Sequence, residues 1–265
     1  MEEPIGIFDS GVGGLTVLKE VINHIPSENI LYFGDTARVP YGTRSSEKVI
    51  DYSIQSTDFL LSKGIKLLIV ACNTSSAVSI QSLENRFSIP VIGVIKPGAK
   101  KAVEITRNKK VGVIGTERTI ASEAYVKYIR EFSEDIEIIS KACPLFVPLV
   151  EEGWTDNDVA YRVADTYLRE FKNNGVDVLV LGCTHYPLLK IVIGKVVGRG
   201  IHLVDSARET ASVVRDLLTE GGIANKSLSP GYWKFFTTDN PEKFIKVGEH
   251  FLGKKLNTVL QVEVF

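Results

Sequence analysis

The chain has 265 residues, of which 44% are hydrophobic and 24% are charged, and its formal net charge is -1 at pH 7. This composition is typical of a soluble globular protein with room for about two domains. Lys+Arg number 31 and Asp+Glu number 32, and the basic residues form no long run. The charge pattern therefore predicts neither a nucleic-acid-binding surface nor a surface for anionic membranes.

The amino-terminal segment and the cysteine count indicate the compartment. The first strand is predicted about four residues after Met1, which leaves no room for a signal peptide. No apolar stretch approaches the roughly 18 residues of a membrane-spanning helix. We therefore expect a cytoplasmic protein whose three cysteines are reduced thiols.

Short apolar runs alternate with helix-like segments along most of the chain. The predicted strands are, in order, IGIFD, NILYFGD, IKLLIVAC, IPVIGV, KKVGVIGT, IEIISKAC, VDVLVLGC and IHLVDS. Helices are predicted over residues 45–63, 117–132, 156–173 and 208–220, with Ser45 capping the first and Asp156 starting the third. This alternation predicts an α/β fold with mostly parallel sheets covered by helices.

The chain also has a weak internal repeat. Similar stretches begin at Ile5 and Val111, and two similar cysteine motifs centre on Cys72 and Cys183, so the two spacings are nearly equal. The repeat predicts two similar Rossmann-like lobes, the first formed by residues 1–95 with 207–265 and the second by residues 96–206. Their sheets would face a shared active-site cleft, with one cysteine on each side.

The two cysteine motifs are LLIVACNTSSA (residues 67–77) and VLVLGCTHYPLL (residues 178–189). Each places its cysteine between a strand and the predicted start of a helix, where the helix dipole favours a thiolate. Free cysteines are often only small buried packing residues, and this interpretation is preferred for Cys143, whose neighbours in sequence are apolar. The polar residues that directly follow Cys72 and Cys183 favour a functional role for those two.

The glycine-rich segment FDSGVGG (residues 8–14) follows the first predicted strand. It matches a dinucleotide-binding turn only in part, because Thr16 stands where the third glycine belongs and Asp9 would lie near the pyrophosphate. Asp35 could still imitate the ribose-binding acid, so a nucleotide site stays open as an alternative. Asp9 and Ser10 more naturally offer an acceptor for a substrate ammonium and a hydroxyl for polar contact.

Other titratable groups suggest proton transfer without a metal or an organic cofactor. A histidine ordinarily titrates near neutral pH, and His185 stands two residues after Cys183, which suits proton transfer. The histidines show no metal-ligand spacing with the cysteines, and no lysine stands in a phosphate-cradling context. In PLVEEGW, either Glu151 or Glu152 is expected to turn inward.

Five motifs resemble those of the cofactor-independent aspartate/glutamate racemase family, and of its glutamate racemases in particular. They are IGIFDSGVGGLTV, YFGDTARVPYG, ACNTSSA, CPLFVPLVEEG and GCTHYPLL, in this order, and the resemblance runs from residue 5 to about residue 205. It implies an enzyme that interconverts L- and D-glutamate by a two-base mechanism and supplies D-glutamate for peptidoglycan.

The resemblance also implies roles for individual residues. Cys72 and Cys183 match the opposed acid and base, while Asp9, Glu151 and His185 match residues that assist proton transfer. The implied substrate-binding residues are Asp9, Ser10, Pro40, Tyr41, Gly42, Asn73, Thr74, Thr116, Thr119, Thr184 and His185. The loop VPYG (residues 39–42) is the candidate for holding the distal carboxylate through backbone N–H groups, with Arg38 as an alternative.

Glutamate is the implied small-molecule partner, and a homo-oligomer, specifically a dimer, is expected. Some relatives have an amino-terminal extension linked to control by a cell-wall precursor, and the short segment before Ile5 predicts no such control here. Two other functions stay open: a related racemase acting on aspartate or another small acid, and a non-catalytic two-lobed metabolite-binding protein.

Overall fold

The computed structural model describes residues 2–264, and helices and strands alternate along them. The strands are β1 (Ile5–Asp9), β2 (Ile30–Gly34), β3 (Leu67–Val70), β4 (Val91–Gly93), β5 (Lys110–Gly115), β6 (Glu137–Ala142), β7 (Val178–Gly182), β8 (His202–Asp205), β9 (Trp233–Thr237) and β10 (Val259–Gln261). The α-helices are α1 (Leu15–His24), α2 (Ser46–Leu61), α3 (Asn73–Val78), α4 (Ile80–Arg86), α5 (Ile95–Ile105), α6 (Glu117–Ala121), α7 (Ala124–Phe132), α8 (Phe146–Glu151), α9 (Asp158–Asn173), α10 (Lys190–Val197), α11 (Ser206–Glu220) and α12 (Pro241–Leu252).

The strands form two sheets, and each strand pairing in them is parallel. The first sheet has six strands in the order β10-β9-β2-β1-β3-β4, and the second has four in the order β6-β5-β7-β8. Parallel neighbours need crossover connections, which the helices supply while covering the sheets. The predicted α/β class with two parallel-sheet lobes is therefore confirmed.

The two sheets repeat one topology. Strands β1–β4 lie in the order second, first, third, fourth, and strands β5–β8 lie in the same order. Cys72 follows β3 and Cys183 follows β7, so each cysteine follows the third strand of its set. The repeat suggested by the sequence is therefore a repeat of strand order. It places the two cysteines at corresponding carboxyl ends, the edge at which such sheets bind ligands.

The chain crosses between the sheets twice. It leaves the first sheet after β4 and returns to it with β9, and the crossover helices α5 and α11 pack against each other. Helix α11 also packs on α1, so helices fill the space between the sheets. The exact lobe limits, residues 1–95 with 207–265 and residues 96–206, stay a prediction.

Two predicted helices differ from the structure: one is divided in two, and the other begins two residues later than predicted. The segment 117–132 is two helices, because the Ser122 hydroxyl bonds the Thr119 carbonyl and Glu123 adopts a left-handed conformation with φ of 55°. The third predicted helix begins at Asp158 rather than Asp156, because the Asn157 side chain accepts the hydrogen bond that caps it.

The carboxyl-terminal strands and helix were not predicted. Strands β9 and β10 extend the edge of the first sheet, and α12 packs on α1. Helix α12 begins with Pro241 after an Asn240 cap and ends before Gly253 in the left-handed region. Among the described residues, no helix is long and apolar enough to cross a membrane.

A nearly buried ion pair anchors the segment that returns to the first sheet. Lys66 Nζ lies 2.7 Å from Glu28 Oε2, and the two side chains are 6% and 2% exposed. Lys66 also donates to the Ile223 carbonyl at 2.8 Å, and Glu28 Oε1 accepts from the backbone N–H of Asn225 at 2.6 Å. The pair therefore connects the start of β3 to the residues after α11.

We predict that Lys66→Met lowers the free energy of unfolding by about 3 kcal/mol, because it leaves the Glu28 carboxylate buried without its cation. Denaturant unfolding followed by circular dichroism measures the change. The matched control is Lys226→Met, at an exposed lysine of the same returning segment, which should change the free energy by less than about 0.5 kcal/mol. Equal effects of the two substitutions would contradict the anchoring role.

Candidate active site

The carboxyl ends of both sheets open onto one cavity of about 200 Å³. Its walls contain both Cys72 and Cys183, whose side chains are almost buried, with exposed fractions of 5% and 6%. The two cysteines come from loops that follow corresponding strands of the two sheets. A molecule in this cavity therefore meets one sulfur from each half of the protein.

The cavity brings together most of the residues that the sequence singled out. The predicted residues that line it are Ser10, Pro40, Tyr41, Gly42, Cys72, Asn73, Thr74, Thr116, Glu151, Cys183, Thr184 and His185. Asp9 and Thr119 are buried behind these walls. The loop VPYG, predicted as a whole, also contributes Val39, whereas sequence reasoning missed several further lining residues, most of them without a reactive group to mark them: Gly11, Thr43, Glu117, Pro144, Val147 and Pro148.

The glycine-rich turn between β1 and α1 packs tightly against the Cys183 motif of the other half. A Cβ atom at Gly13 would lie 2.3 Å from Thr184 Oγ1 and 2.6 Å from the His185 ring. Thr16 donates to the Thr184 carbonyl at 3.1 Å. The glycines therefore allow close approach between the two halves, and the side chains of Thr184 and His185 lie against the turn.

Hydroxyl groups also meet across the cavity wall. Thr74 Oγ1 from the first half lies 3.0 Å from Thr116 Oγ1 of the second half, and Thr119 Oγ1 lies 3.0 Å from that same atom. Thr116 caps α6 by accepting from the Thr119 amide. Thr119 thus does not line the cavity itself, but its hydroxyl lies within hydrogen-bond distance of the Thr116 hydroxyl, which does.

Cys183 is part of a hydrogen-bonded chain with a histidine and a carboxylate. Its Sγ atom lies 3.8 Å from His185 Nδ1, and His185 Nε2 lies 3.0 Å from Glu151 Oε1. The edge of this imidazole also contacts Phe251 of α12, with ring centroids 5.1 Å apart. The carboxylate that turns toward the site is thus Glu151, which settles the choice between it and Glu152.

This chain of contacts favours a charged imidazole. Burial by itself lowers the pKa of His185, but the hydrogen bonds with Cys183 and Glu151 outweigh it and raise the pKa to about 10. The hydrogen bond from His185 lowers the pKa of Glu151. An imidazolium beside Cys183 can stabilise negative charge on that sulfur, as proton transfer by a thiolate requires.

Cys72 has different neighbours. Its Sγ atom lies 3.7 Å from Ser10 Oγ, and the buried Asp9 carboxylate lies nearby. Burial, and then the charge of Asp9, raises the pKa of Cys72 to about 11. The prediction that the helix start lowers the pKa of this thiol is therefore wrong, because burial beside a carboxylate outweighs the helix dipole.

Polar atoms near Cys72 have hydrogen-bonding capacity left over. Asp9 Oδ2 accepts from the Gly11 amide at 3.1 Å, whereas Oδ1 is buried without a partner among the described residues. Asn73 Oδ1 accepts from the Tyr125 hydroxyl at 2.8 Å, and Asn73 Nδ2 is also buried and without a partner in that part of the chain. Buried polar atoms are rarely left unsatisfied, and Asn73 lines the cavity, so its free amide is available to a ligand group.

A buried carboxylate, that of Asp35, fixes the loop VPYG by hydrogen bonds. Asp35 is fully buried and accepts hydrogen bonds from the Tyr41 hydroxyl, from Arg38 Nε at 2.6 Å and from the Thr238 hydroxyl at 3.0 Å. The Arg38 guanidinium also lies 4.1 Å from the centre of the Tyr52 ring. Arg38 therefore supports the loop from outside the cavity wall, and Asp35 holds protein groups rather than a ribose.

No group of three or more His, Cys, Asp or Glu side chains among residues 2–264 is arranged to hold a metal ion. The third cysteine, Cys143, is fully buried and does not line the cavity. Burial raises its pKa to about 12. The Tyr186 hydroxyl donates to the Cys143 carbonyl at 2.9 Å, so this residue packs within the second half.

Comparisons with known proteins agree with this geometry. Residues 13–214 match the model of the Asp/Glu/Hydantoin racemase family. A glutamate racemase of Geobacter metallireducens is 56% identical over 260 residues, which is 98% of this chain and 96% of that protein. The crystal structure of a glutamate racemase isoform from Bacillus anthracis is 40% identical with a TM-score of 0.95, covering 99% of this chain and 98% of that one. The glutamate racemase of Francisella tularensis in complex with D-glutamate is 38% identical with a TM-score of 0.93 and covers the same shares.

These relatives identify the chain as a cofactor-independent racemase, an isomerase. The chain belongs to the Asp/Glu/hydantoin racemase family, whose model matches most of its length.

We predict that Glu151→Gln lowers the pKa of His185, because Nε2 loses its charged acceptor. The raised folded pKa stabilises the protein fully below the unfolded value of about 6.5, and this stabilisation is lost as the pH rises through the folded value. The stability advantage of the parent over the variant should therefore shrink between about pH 6.5 and pH 10.

NMR titration of the His185 ring measures the pKa, and denaturant unfolding across this pH range measures the stability. The control is Glu152→Gln, which removes the neighbouring exposed carboxylate and should leave the pKa of His185 unchanged. Equal shifts of the His185 pKa in both variants would show that the contact with Glu151 is not the cause.

Proposed function

We propose that this chain is a glutamate racemase that interconverts L- and D-glutamate by a two-base mechanism. The observation that carries the proposal is the pair of nearly buried cysteines, one after the third strand of each repeat, in the walls of one cavity. Inversion of a stereocentre requires proton removal on one face and delivery on the other. The relatives described above are named glutamate racemases, and one of them holds D-glutamate.

In the proposed reaction, one sulfur acts as a thiolate and takes the proton from the α carbon. The electron pair of that C–H bond remains as a carbanion, delocalised into the adjacent carboxylate. The opposite thiol then gives its proton to the other face and becomes the thiolate. Cys72 takes the proton from D-glutamate and Cys183 takes it from L-glutamate, and no external oxidant or reductant is needed.

The groups around each sulfur assist these steps. The imidazolium of His185, held by Glu151, stabilises the Cys183 thiolate. On the other side, the free oxygen of Asp9 accepts from the substrate ammonium, and Ser10 contacts both substrate and Cys72. Fixed dipoles in a site that excludes water stabilise developing charge more strongly than water does.

Neutral donors bind the two substrate carboxylates. Neither lysine nor arginine occurs among the residues that line the cavity. We propose that the substrate carboxylates accept hydrogen bonds from the free Asn73 amide, from backbone N–H groups of Tyr41 and Gly42, and from the hydroxyls of Thr74, Thr116 and Thr184. Asp35 fixes that loop at a set distance from the two sulfurs. The loop can therefore reach the distal carboxylate of glutamate but not that of the shorter aspartate.

The remaining parts of the proposal concern the cell. We propose that the enzyme is cytoplasmic, that its D-glutamate serves peptidoglycan synthesis, and that it acts as a homodimer. A racemase for aspartate or another small acid is the alternative within the family. A non-catalytic metabolite-binding protein is a weaker alternative, because the hydrogen-bonded chain from Cys183 through His185 to Glu151 suits catalysis better than packing.

We predict that the purified protein, after dialysis against a chelator and without added pyridoxal phosphate, converts either enantiomer of glutamate to an equal mixture. Circular dichroism of the amino acid follows this conversion directly. Aspartate should turn over at least about a hundredfold more slowly, since a shorter chain cannot place the α carbon and the distal carboxylate correctly together. Faster turnover of aspartate would assign the alternative substrate, and binding without turnover would assign the non-catalytic function.

We predict distinct proton-exchange behaviour for the two cysteine variants in deuterated water. Cys183→Ala should lose racemisation and retain at most slow exchange of the α proton of D-glutamate, because only Cys72 remains to remove and return it. Cys72→Ala should lose racemisation and retain at most exchange of L-glutamate. Proton NMR of each enantiomer measures the exchange.

Cys143→Ala is the matched control for these variants. It should racemise glutamate like the parent, although it loses about 1 kcal/mol of stability through a small cavity. The two-base assignment would be wrong if either single variant racemised at the parental rate, or if both variants exchanged the same enantiomer.

A further inference from the structure

The side chain of Ser75 differs from the other unsatisfied polar groups near Cys72. Within the described residues, Asp9, Asn73 and Ser75 each have a buried polar side-chain atom with no hydrogen-bond partner. Asn73 lines the cavity and Asp9 directly precedes the lining residue Ser10, and the proposed function assigns the free atoms of both to the substrate. Ser75 is fully buried and does not line the cavity, so its hydroxyl is out of reach of a substrate.

The position of Ser75 directs its hydroxyl toward Cys72. Cys72 is the residue before α3, and Ser75 is the third residue of that helix. At this spacing the third residue of a helix faces back toward the capping residue, as in a capping box. The Ser75 carbonyl accepts from the amide and hydroxyl of Ser79, at 2.8 and 2.7 Å, so its contacts do not involve the Ser75 hydroxyl.

We propose that Ser75 is a positioning residue for Cys72, and that its hydroxyl donates a hydrogen bond to the sulfur when Cys72 is a thiolate. Ser10, 3.7 Å from the same sulfur, provides a second hydroxyl on the cavity side. The kinetic part of this assignment rests on the proposed function, in which Cys72 must become a thiolate in each turnover.

The charges around Cys72 explain why hydroxyl donors are needed. The titratable groups that face it are Asp9 at the end of β1, Tyr32 from β2 and Tyr41 from the loop VPYG. Burial raises the pKa of both tyrosines well above the ordinary value, so they stay neutral, and Asp9 opposes the thiolate. Against these effects, the Ser75 backbone and then the hydroxyls of Ser10 and Ser75 lower the pKa of Cys72.

Ser75 thus stabilises the thiolate of Cys72 on one side of the cavity, as the imidazolium of His185 stabilises that of Cys183 on the other. The two halves repeat the strand order, yet they stabilise their sulfurs by different groups. A neutral donor suits the Cys72 side, because a cation there would interact with the Asp9 carboxyl group, as His185 already does, and not only with the sulfur.

The test measures the thiolate of Cys72 directly. Iodoacetamide alkylation of the full-length protein is followed from about pH 7 to pH 11, and the modified Cys72 peptide is quantified by mass spectrometry. In Ser75→Ala, the apparent pKa of Cys72 should rise by about one unit, because a hydrogen bond to a charged group is lost. Alkylation at about pH 8 should slow by about tenfold.

Two further variants separate the hydroxyl from general packing. Ser79→Ala removes another buried serine hydroxyl of the same region, bonded to backbone, and should leave the apparent pKa of Cys72 unchanged. Ser75→Thr keeps a hydroxyl and should stay within about 0.3 unit of the parent. The proposal is overturned if Ser75→Ala leaves the pKa unchanged, or if Ser79→Ala or Ser75→Thr shifts it equally.

Activity provides the second measurement. The equilibrium constant of racemisation is one, so Ser75→Ala must lower kcat/KM for L- and D-glutamate by the same factor, expected to be about tenfold. Thermal unfolding confirms that the variant is folded before either measurement is used. If Ser75→Ala shifts the pKa of Cys72 but the parent protein does not racemise glutamate, the contact between Ser75 and Cys72 is supported and the proposed function is refuted. A normal pKa with normal turnover would refute the Ser75 assignment alone.

Discussion

The contact between the glycine-rich turn and the Cys183 motif is the interaction on which the site depends. Gly13 leaves room for the side chains of Thr184 and His185, and Thr16 bonds the Thr184 carbonyl across the two halves. Without this close approach, the carboxyl ends of the two sheets would not share one cavity. The glycines after β1 therefore act through shape, by letting one backbone reach the polar loop that carries the second sulfur.

The two sulfurs occupy equivalent positions in the repeated topology but unlike electrostatic environments. Cys183 faces an imidazole whose pKa is raised to about 10, and Cys72 lies beside a buried carboxylate and hydroxyl groups, with its own pKa raised to about 11. The protein in its resting form therefore favours the thiol on Cys72 and positive charge beside Cys183. The repeat supplies position, whereas the residues that follow each strand determine the protonation state.

Much of the fold could be predicted from the sequence because parallel strands buried on both faces are continuous apolar runs. The same signal is weak in residues 221–265, and the edge strand β10 has two exposed residues, so the last two strands and α12 were missed. The paired cysteine motifs predicted where the cavity lies. The pKa of Cys72 could not be predicted, because it depends on Asp9, which is distant in sequence but adjacent in space. The roles of Asp35 and Arg38 as supports for the loop likewise became visible only from their contacts.

The unequal environments are compatible with a reaction that has no preferred direction. Since the enantiomers have equal free energy in water, the enzyme cannot favour one product at equilibrium, whichever sulfur carries the proton at rest. Unequal thiols change only the populations of the two free-enzyme forms, and thus the separate values of kcat and KM for each enantiomer. A form with its thiol on Cys72 and its thiolate on Cys183 accepts L-glutamate in the proposed assignment. After each turnover the protons must redistribute between the sulfurs, and the chain through His185 to the partly exposed Glu151 offers a route for that exchange with solvent.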